Sequence, residues 1–219
     1  MPEGFHPPLE EYLEAIHELG EEGIVVIQAR LAERLGHSAP AVSEMIRRLR
    51  DEGYVEVRGR SLVMTERGRS VAESVVRKHR LAERLLTDII GLPWEKAHLE
   101  AGRWEHVISD EVEERLVEVL GHPKTCPHGN PIPGAGASDE GFTALSESRR
   151  GDRVRLERVT ELVEFDLECL AYLASHGFVP GTEATVTSRA PDGTLTLDLG
   201  YQTIALGPSL AQQLFVSAP

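Results

Sequence analysis

Apolar residues recur at helical spacing along the first half of the chain. Leu9, Leu13, Ile16 and Leu19 mark one face of a helix from Leu9 to Gly20. Gln28 to Leu35 reads as a short helix stopped by Gly36. Ser38 then caps a second helix running to about Glu52, with Pro40 tolerated in its first turn. Leu31, Leu35, Val42, Ile46 and Leu49 are placed to hold these two helices together across the turn, a helix-turn-helix pattern. From Gly53 to Thr65, β-branched residues alternate on either side of Gly59, which predicts a two-stranded hairpin. Helix, turn, helix and hairpin together spell a winged helix-turn-helix.

Beyond it, Glu66 to about Gly91 predicts a long helix, and Trp94 to His106 and Ser109 to Leu120 predict two more. Residues 121–150 change character. Pro123, Pro127, Pro131 and Pro133 alternate there with Gly121, Gly129, Gly134, Gly136 and Gly141, which reads as a linker with local turns. From about Arg153 short β-like runs take over: Val154 to Val159, Glu183 to Arg189, Thr194 to Leu199 and Gln202 to Leu206. Asp192-Gly193 makes a hairpin turn, and one helix runs from Leu167 to Ser175. The expected fold class is mainly α with a C-terminal β domain resembling an SH3-like barrel. The expected domains are a winged helix-turn-helix over 1–72, a helical domain with the proline-rich stretch over 73–140, and the barrel over 150–219.

The composition, 41% hydrophobic and 27% charged over 219 residues, is that of a globular chain of one large domain or two small ones. Charges interrupt every apolar run before it reaches the roughly 18 residues of a membrane helix. Met1 to Phe5 carries no leader pattern, so the expectation is a cytosolic protein with no membrane partner. Two cysteines, Cys126 and Cys169, do not make a disulfide framework.

The net charge of −13 argues against nucleic acid until its distribution is read. Residues 27–80 hold 12 Lys/Arg against 7 Asp/Glu, leaving 11 basic and 29 acidic residues elsewhere. The basic segment coincides with the helix-turn-helix, as an anion-binding surface should. Ser38, Pro40, Ala41, Ser43 and Glu44 open the second helix, where side chains meet base edges in the major groove. Arg47, Arg48, Arg50, Arg58 and Arg60 would hold phosphates, which position without specifying sequence. A helical hairpin used only for packing would leave the wing and the local charge unexplained.

A second pattern concerns metal-ligand residue types. His79 and Glu83 stand at i, i+4 on the long helix, and Glu11 and Glu14 at i, i+3 on the first. His98, Glu105 and His106 fall within an arc of about 100° on the next. Three helices thus each offer carboxylate or imidazole from one stripe, which suits a divalent first-row cation. Each piece alone is also what a solvated helix face carries. Cys126-Pro127-His128 adds two metal-type residues in a turn. Asp166, Glu168 and Cys169 open the late helix, where an acidic cap is as good a reading as a ligand.

The stretches Arg77-Lys-His-Arg-Leu-Ala-Glu-Arg-Leu-Leu-Thr-Asp-Ile-Ile-Gly-Leu and His98-Leu-Glu-Ala-Gly-Arg-Trp-Glu-His-Val-Ile-Ser-Asp-Glu-Val are long enough to be specific. They resemble the diphtheria-toxin-repressor and manganese-transport-regulator family of metal-dependent transcriptional repressors. The resemblance runs through the whole chain, including Gly129-Asn-Pro-Ile-Pro. It implies a homodimer on a palindromic double-stranded operator. Metal would act as corepressor of metal-uptake genes, with two sites per subunit.

By the resemblance, Glu105 and His106 match primary metal ligands. His79, Glu83 and His98 match ancillary ligands of the iron-responsive branch, while in the manganese branch the position of His79 joins the main cluster. Iron-responsive members carry methionine and cysteine where this chain has Glu11 and Gly102; manganese-responsive members carry acids at Glu11 and Glu14, and another at Gly102. Carboxylate and imidazole suit Mn²⁺, so Mn²⁺ is the expected effector with Fe²⁺ able to substitute, and an iron-dependent repressor is the alternative. A water, Glu14 or Glu100 would fill the gap at Gly102. Streptococcal-type manganese regulators suggest a different ancillary set, Glu83, Cys126, His128 and Asp166, which competes with the His98 version for Glu83. A carboxylate–histidine metalloenzyme finds no nucleophile motif, phosphate loop or zincin signature here. A winged-helix sensor of an organic ligand would need an apolar pocket.

Overall fold

The computed structural model describes residues 8–137 and 141–219. Met1 to Pro7, over which the leader pattern was sought, and Ser138 to Glu140 of the proline- and glycine-rich stretch lie outside them. Two compact units result, Met1–His79 with Gly102–Ser109, and Arg80–Ala101 with Asp110–Pro219. Among the described residues no helix is long and apolar enough to cross a membrane.

In the first unit α1 (Pro8–Glu21), α2 (Gln28–Leu35) and α3 (Ala39–Asp51) precede an antiparallel hairpin of β1 (Val55–Arg58) and β2 (Ser61–Met64). Leu13, Ile16 and Leu19 of α1, from the face the spacing predicted, close a core with Leu31, Val42, Ile46, Leu49, Val55 and Leu62. Leu9 is only partly buried, and Tyr12, not in that reading, joins the core. Arg34 ties α2 to α1 through Glu22 (2.7 Å) and Glu18 (3.3 Å). Gly36 ends α2 in the left-handed conformation at φ 64°. The Ser38 hydroxyl then accepts the Ala41 amide at 3.4 Å and caps α3. Ser38→Ala should therefore destabilise the chain by roughly 1 kcal/mol in a urea titration; an unchanged midpoint would show that the cap contributes nothing.

Helix α4 (Glu66–Arg84) continues as a π-helical turn, Leu85–Ile89, and α5 (Trp94–Ala101) and α6 (Asp110–Val119) follow. The helix expected from Trp94 to His106 stops at Ala101. Residues 102–107 form consecutive turns, with the Val107 and Ile108 amides both donating to the Trp104 carbonyl. Gly102 accounts for the break, since glycine inside a helix costs about 1 kcal/mol relative to alanine.

The second unit ends in a six-stranded antiparallel sheet of order β3-β8-β4-β5-β6-β7. Its strands are β3 (Thr143–Ala144), β4 (Arg153–Val159), β5 (Glu183–Arg189), β6 (Leu195–Asp198), β7 (Thr203–Leu206) and β8 (Leu214–Ser217). The sequence reading had no β8, which pairs between β3 and β4. Two short helices, α7 (Glu161–Glu164) and α9 (Pro208–Gln212), also went unread, whereas α8 (Leu167–Ser175) lies where expected. Leu156, Val186, Leu197, Phe178 and Leu214 fill the core.

The supposed linker is a packed strap. Cys126, His128, Asn130 and Ile132 are all buried. The Cys126 and Ile132 amides bond the Asn130 and Lys124 carbonyls, closing a tight hairpin around His128 and Gly129. The Val159 amide donates to the His128 carbonyl, which seats the hairpin on β4. It crosses β4 beside an irregularity of the β4–β8 register between Leu156 and Arg158.

Candidate metal centres

Each unit gathers metal-type donors of its own. In the first unit α1 supplies Glu14, and the turns after Ala101 supply Glu105 and His106. Ligand atoms of these three lie within 4.8 Å of one another. Glu105 bonds His79 Nδ1 from α4 on one side and stands 3.0 Å from His106 Nε2 on the other. Nδ1 of His106 is 2.7 Å from Glu10, a residue the sequence reading passed over although it shares a helix face with Glu14 at i, i+4. Glu11, expected beside Glu14, is in none of these contacts. Burial opposes ionisation of Glu105, yet the imidazoles of His79 and His106 hold its carboxyl down at about 2. Burial likewise disfavours charge on His106, but Glu105, Glu10 and Glu14 raise its pKa above the ordinary 6.5.

In the second unit Glu83 of α4, His98 of α5, Cys126 and His128 of the strap, and Glu161 and Glu164 of α7 are all buried. Nδ1 of His128 lies 3.2 Å from Glu83 Oε1 and 3.0 Å from Glu164 Oε2, and Nδ1 of His98 lies 3.2 and 3.1 Å from the same two oxygens. Cys126 joins Glu83, His128 and Glu164 within 4.8 Å, and His98 forms a like set with Glu161 and Glu164. Burial, then Glu83 and Glu164, push the Cys126 thiol up to about 12. Burial opposes charge on His128, and the facing Glu164 and Glu83 override it, raising its pKa well above the usual imidazole range.

Supporting groups fix which atoms face inward. His128 Nε2 donates to the Trp94 carbonyl, so Nδ1 is the atom turned to the carboxylates. Asn130 donates to Glu164 Oε1, and Arg80 to Glu161 Oε1 at 2.9 Å. The remaining atoms, His128 Nδ1, Glu161 Oε2 and Glu164 Oε2, are buried without a hydrogen bond. Once His128 gives up its proton, its Nδ1 lone pair faces the carboxylate oxygens, which is what a cation requires, and partners on the far atoms are how metal ligands are oriented. The donors present therefore fit a divalent cation in this unit. The oxygen and nitrogen donors of Glu14, Glu105 and His106 fit one in the first.

On α3 the residues expected to face DNA, Ser38, Pro40, Ala41, Ser43, Glu44, Arg47, Arg48 and Arg50, are all exposed, as are Arg58 and Arg60 on the hairpin. Arg48, Arg50 and Arg58 rest on Glu52, Asp51 and Glu56 at 2.7–2.9 Å. Such exposed pairs contribute little and give way readily to phosphate.

Comparison with known proteins gives the family. Three family models match the chain: iron dependent repressor, N-terminal DNA binding domain, over residues 5–63; iron dependent repressor, metal binding and dimerisation domain, over 65–134; and the FeoA domain over 143–218. A solved manganese-dependent transcriptional repressor in complex with manganese is 33% identical, with a TM-score of 0.86, covering 96% of this chain and 100% of that one. The diphtheria toxin repressor of Corynebacterium efficiens is 50% identical over 191 residues, 82% of this chain and 83% of that protein. The iron-dependent repressor IdeR of Mycobacterium tuberculosis is 43% identical over 219 residues, 94% of this chain and 95% of that protein. The chain belongs to the diphtheria-toxin-repressor family.

In this repressor two residues expected among the ancillary ligands are not members of the second-unit cluster: His79, which belongs to the first unit and pairs there with Glu105, and Asp166. Asp166 lies outside the cluster; its carboxylate accepts the Glu168 and Cys169 amides and caps α8, the alternative its position allowed. Glu164, two residues earlier on α7, faces Glu83 and His128 instead. His98 and His128, the residues that distinguish the two ancillary versions, each place Nδ1 3.2 Å from the same Glu83 Oε1.

For the metal-free repressor the linkage signs are fixed by the first site. Pairing with His106 stabilises the fold fully below pH 6.5 and is lost as pH rises through the raised value; the Glu105 contribution is present above 4.5 and lost only as pH falls toward about 2. A cation needs the imidazole neutral, so binding must release its proton. Mn²⁺ affinity should rise with pH between about 5 and 8. Calorimetry in two buffers of different ionisation enthalpy should record the released proton; affinity independent of pH would contradict this account.

Proposed function

We propose that this repressor senses Mn²⁺, with Fe²⁺ able to substitute, and silences metal-uptake genes as a cytoplasmic homodimer on a palindromic operator. The observation that carries the choice of metal is the donor set of the first unit, Glu14, Glu105 and His106 with Glu10 and His79 adjoining, which contains no sulfur. Hard oxygen and imidazole donors suit Mn²⁺. The iron-dependent alternative is favoured by a different observation, the 43% identity to a relative named for iron. As a member of its family the protein is a transcriptional repressor and not an enzyme.

The residues act as follows. When bound, the cation neutralises like charges and ties donors from different elements to one point. Glu10 and Glu14 belong to α1, whose opposite face packs on α2 and α3, so restraint of α1 restrains the reading helix. Glu105 and His106 anchor the same point from the turns that follow α5. Ser38, Pro40, Ala41, Ser43 and Glu44 read base edges, and Arg47, Arg48, Arg50 and Arg60 hold phosphates. In the dimer two such heads are set about 34 Å apart, or a multiple of it, to meet successive major grooves. The functional segments follow the sequence reading: DNA binding over 1–72, metal binding and dimerisation over 73–140, and the SH3-like domain over 150–219.

The deciding experiment is anaerobic selection of bound fragments from genomic DNA with Mn²⁺, with Fe²⁺ and with chelator. Enrichment of the same two-fold-symmetric fragments with Mn²⁺ and not with chelator is the expected result. Activation by Fe²⁺ alone at micromolar level would overturn the metal assignment. Equal recovery in all three arms would overturn metal control itself.

A further inference from the structure

The buried cluster of the second unit spreads its donors over two groups rather than one. Two ligands of one ion are separated by at most twice the metal–ligand bond, about 4–4.6 Å for bonds of roughly 2.0–2.3 Å. The six side chains fall into two sets whose ligand atoms lie within 4.8 Å of one another, close to this limit, Glu83, Cys126, His128 and Glu164 on one side and His98, Glu161 and Glu164 on the other. The sets share Glu164. Glu83 Oε1 also stands 3.2 Å from each histidine, so two carboxylates lie between two imidazoles. Cys126 and His128 are left as end donors of one set, and His98 and Glu161 of the other.

We propose that this cluster binds two divalent cations, not one, with Glu164 and Glu83 bridging them. The proposal rests on reading the cluster as a metal centre at all, and its test separates the two claims. The buried atoms without a hydrogen bond fall on both sides: His128 Nδ1 in the first set, Glu161 Oε2 in the second, and Glu164 Oε2 common to both. Each acid of α7 has its other oxygen engaged by a support, Asn130 for Glu164 and Arg80 for Glu161. Sharing is therefore carried by the atoms left over, and it does not compete with the supports. The two positions also differ in kind. One includes the Cys126 sulfur and suits a softer ion; the other offers only carboxylate and imidazole and suits Mn²⁺. The pair would thus take unlike metals.

The test counts ions per chain in the full-length protein after gel filtration, for wild type, Cys126→Ser, His98→Gln and the double variant, with Co²⁺ as probe. Two bound ions require each single variant to lose one equivalent and the double variant two. Cys126→Ser should also lose the thiolate-to-cobalt charge-transfer absorption, which His98→Gln should keep. A loss of one equivalent in all three variants would mean a single ion, overturning the pair while leaving the metal centre standing. No loss in any variant, with no charge-transfer band in wild type, would overturn the metal reading as well. Should a variant fail to fold, crystals of the wild-type chain grown with Zn²⁺ decide by anomalous scattering. Two peaks flanking Glu164 are expected, and one peak or none would overturn the pair.

Discussion

Glu105→Gln abolishes the response to metal: at saturating Mn²⁺, affinity for operator DNA falls by about 100-fold or more, to the level seen with chelator. The carboxamide keeps the volume of the side chain but not its charge. Glu105 lies between His79 and His106, and its carboxylate is the group that both imidazoles address. Changing a group that merely orients a metal ligand typically weakens metal binding by about 10–100-fold, and replacing a ligand outright should cost at least as much. Removing the charge also lets the His106 pKa fall, so the pH dependence of the metal-free protein should flatten. Circular dichroism would show a cooperative unfolding transition, and fluorescence anisotropy with labelled operator would give the affinity. Metal-dependent DNA binding retained by this variant would exclude Glu105 as a ligand.

Gly129→Ala is expected to lower the melting temperature by about 4–20 °C. Gly129 has φ 93°, a conformation that side chains resist at about 1–2 kcal/mol. A Cβ there would lie 1.9 Å from the Glu157 carbonyl and 2.7 Å from Arg158 Cα, both backbone of β4. Relieving that overlap by moving the strap adds roughly 1–3 kcal/mol. At about 2–4 °C per kcal/mol for a chain of this size, the shift follows. His128 precedes the glycine, so metal loading of the second unit should fall as well. Scanning calorimetry of the metal-free chain reads the first effect and metal analysis the second. A variant that melts within about 2 °C of wild type would show that the strap is not seated on β4.

What was legible in the chain was local. Helices α2 and α3, the Ser38 cap and the Asp192-Gly193 turn are set by neighbours within a few positions, and pattern alone locates them. Residues 121–137 misled because proline and glycine mark a change of direction without saying whether the turn is wet or buried. The burial of Cys126 and His128 comes from β4 and α7, some 30 residues on. Glu164 was missed for the same reason: a four-residue helix leaves no periodicity, while Asp166 looks like a helix opening and serves as one. Glu10 and Glu11 cannot be separated by spacing, since both share a face with Glu14; only the position of His106 chooses between them. The pairing of donors on α4 with donors after α5 was visible only through family resemblance.

The break of helix α5 at Ala101 has a consequence for how tightly the first centre can hold a cation. Adjacent side chains on an α-helix leave the axis about 100° apart and diverge. Glu105 and His106 are adjacent, yet in the turns after the break Oε1 of one and Nε2 of the other are 3.0 Å apart. Two donors one peptide bond apart form a chelate: once either has captured the ion, the other meets it at the high effective concentration of a very short tether. Two of the three donors, Glu105 and His106, are therefore supplied by a dipeptide. Losing the helical turn at Gly102 removes one ligand position and, in exchange, makes neighbours convergent.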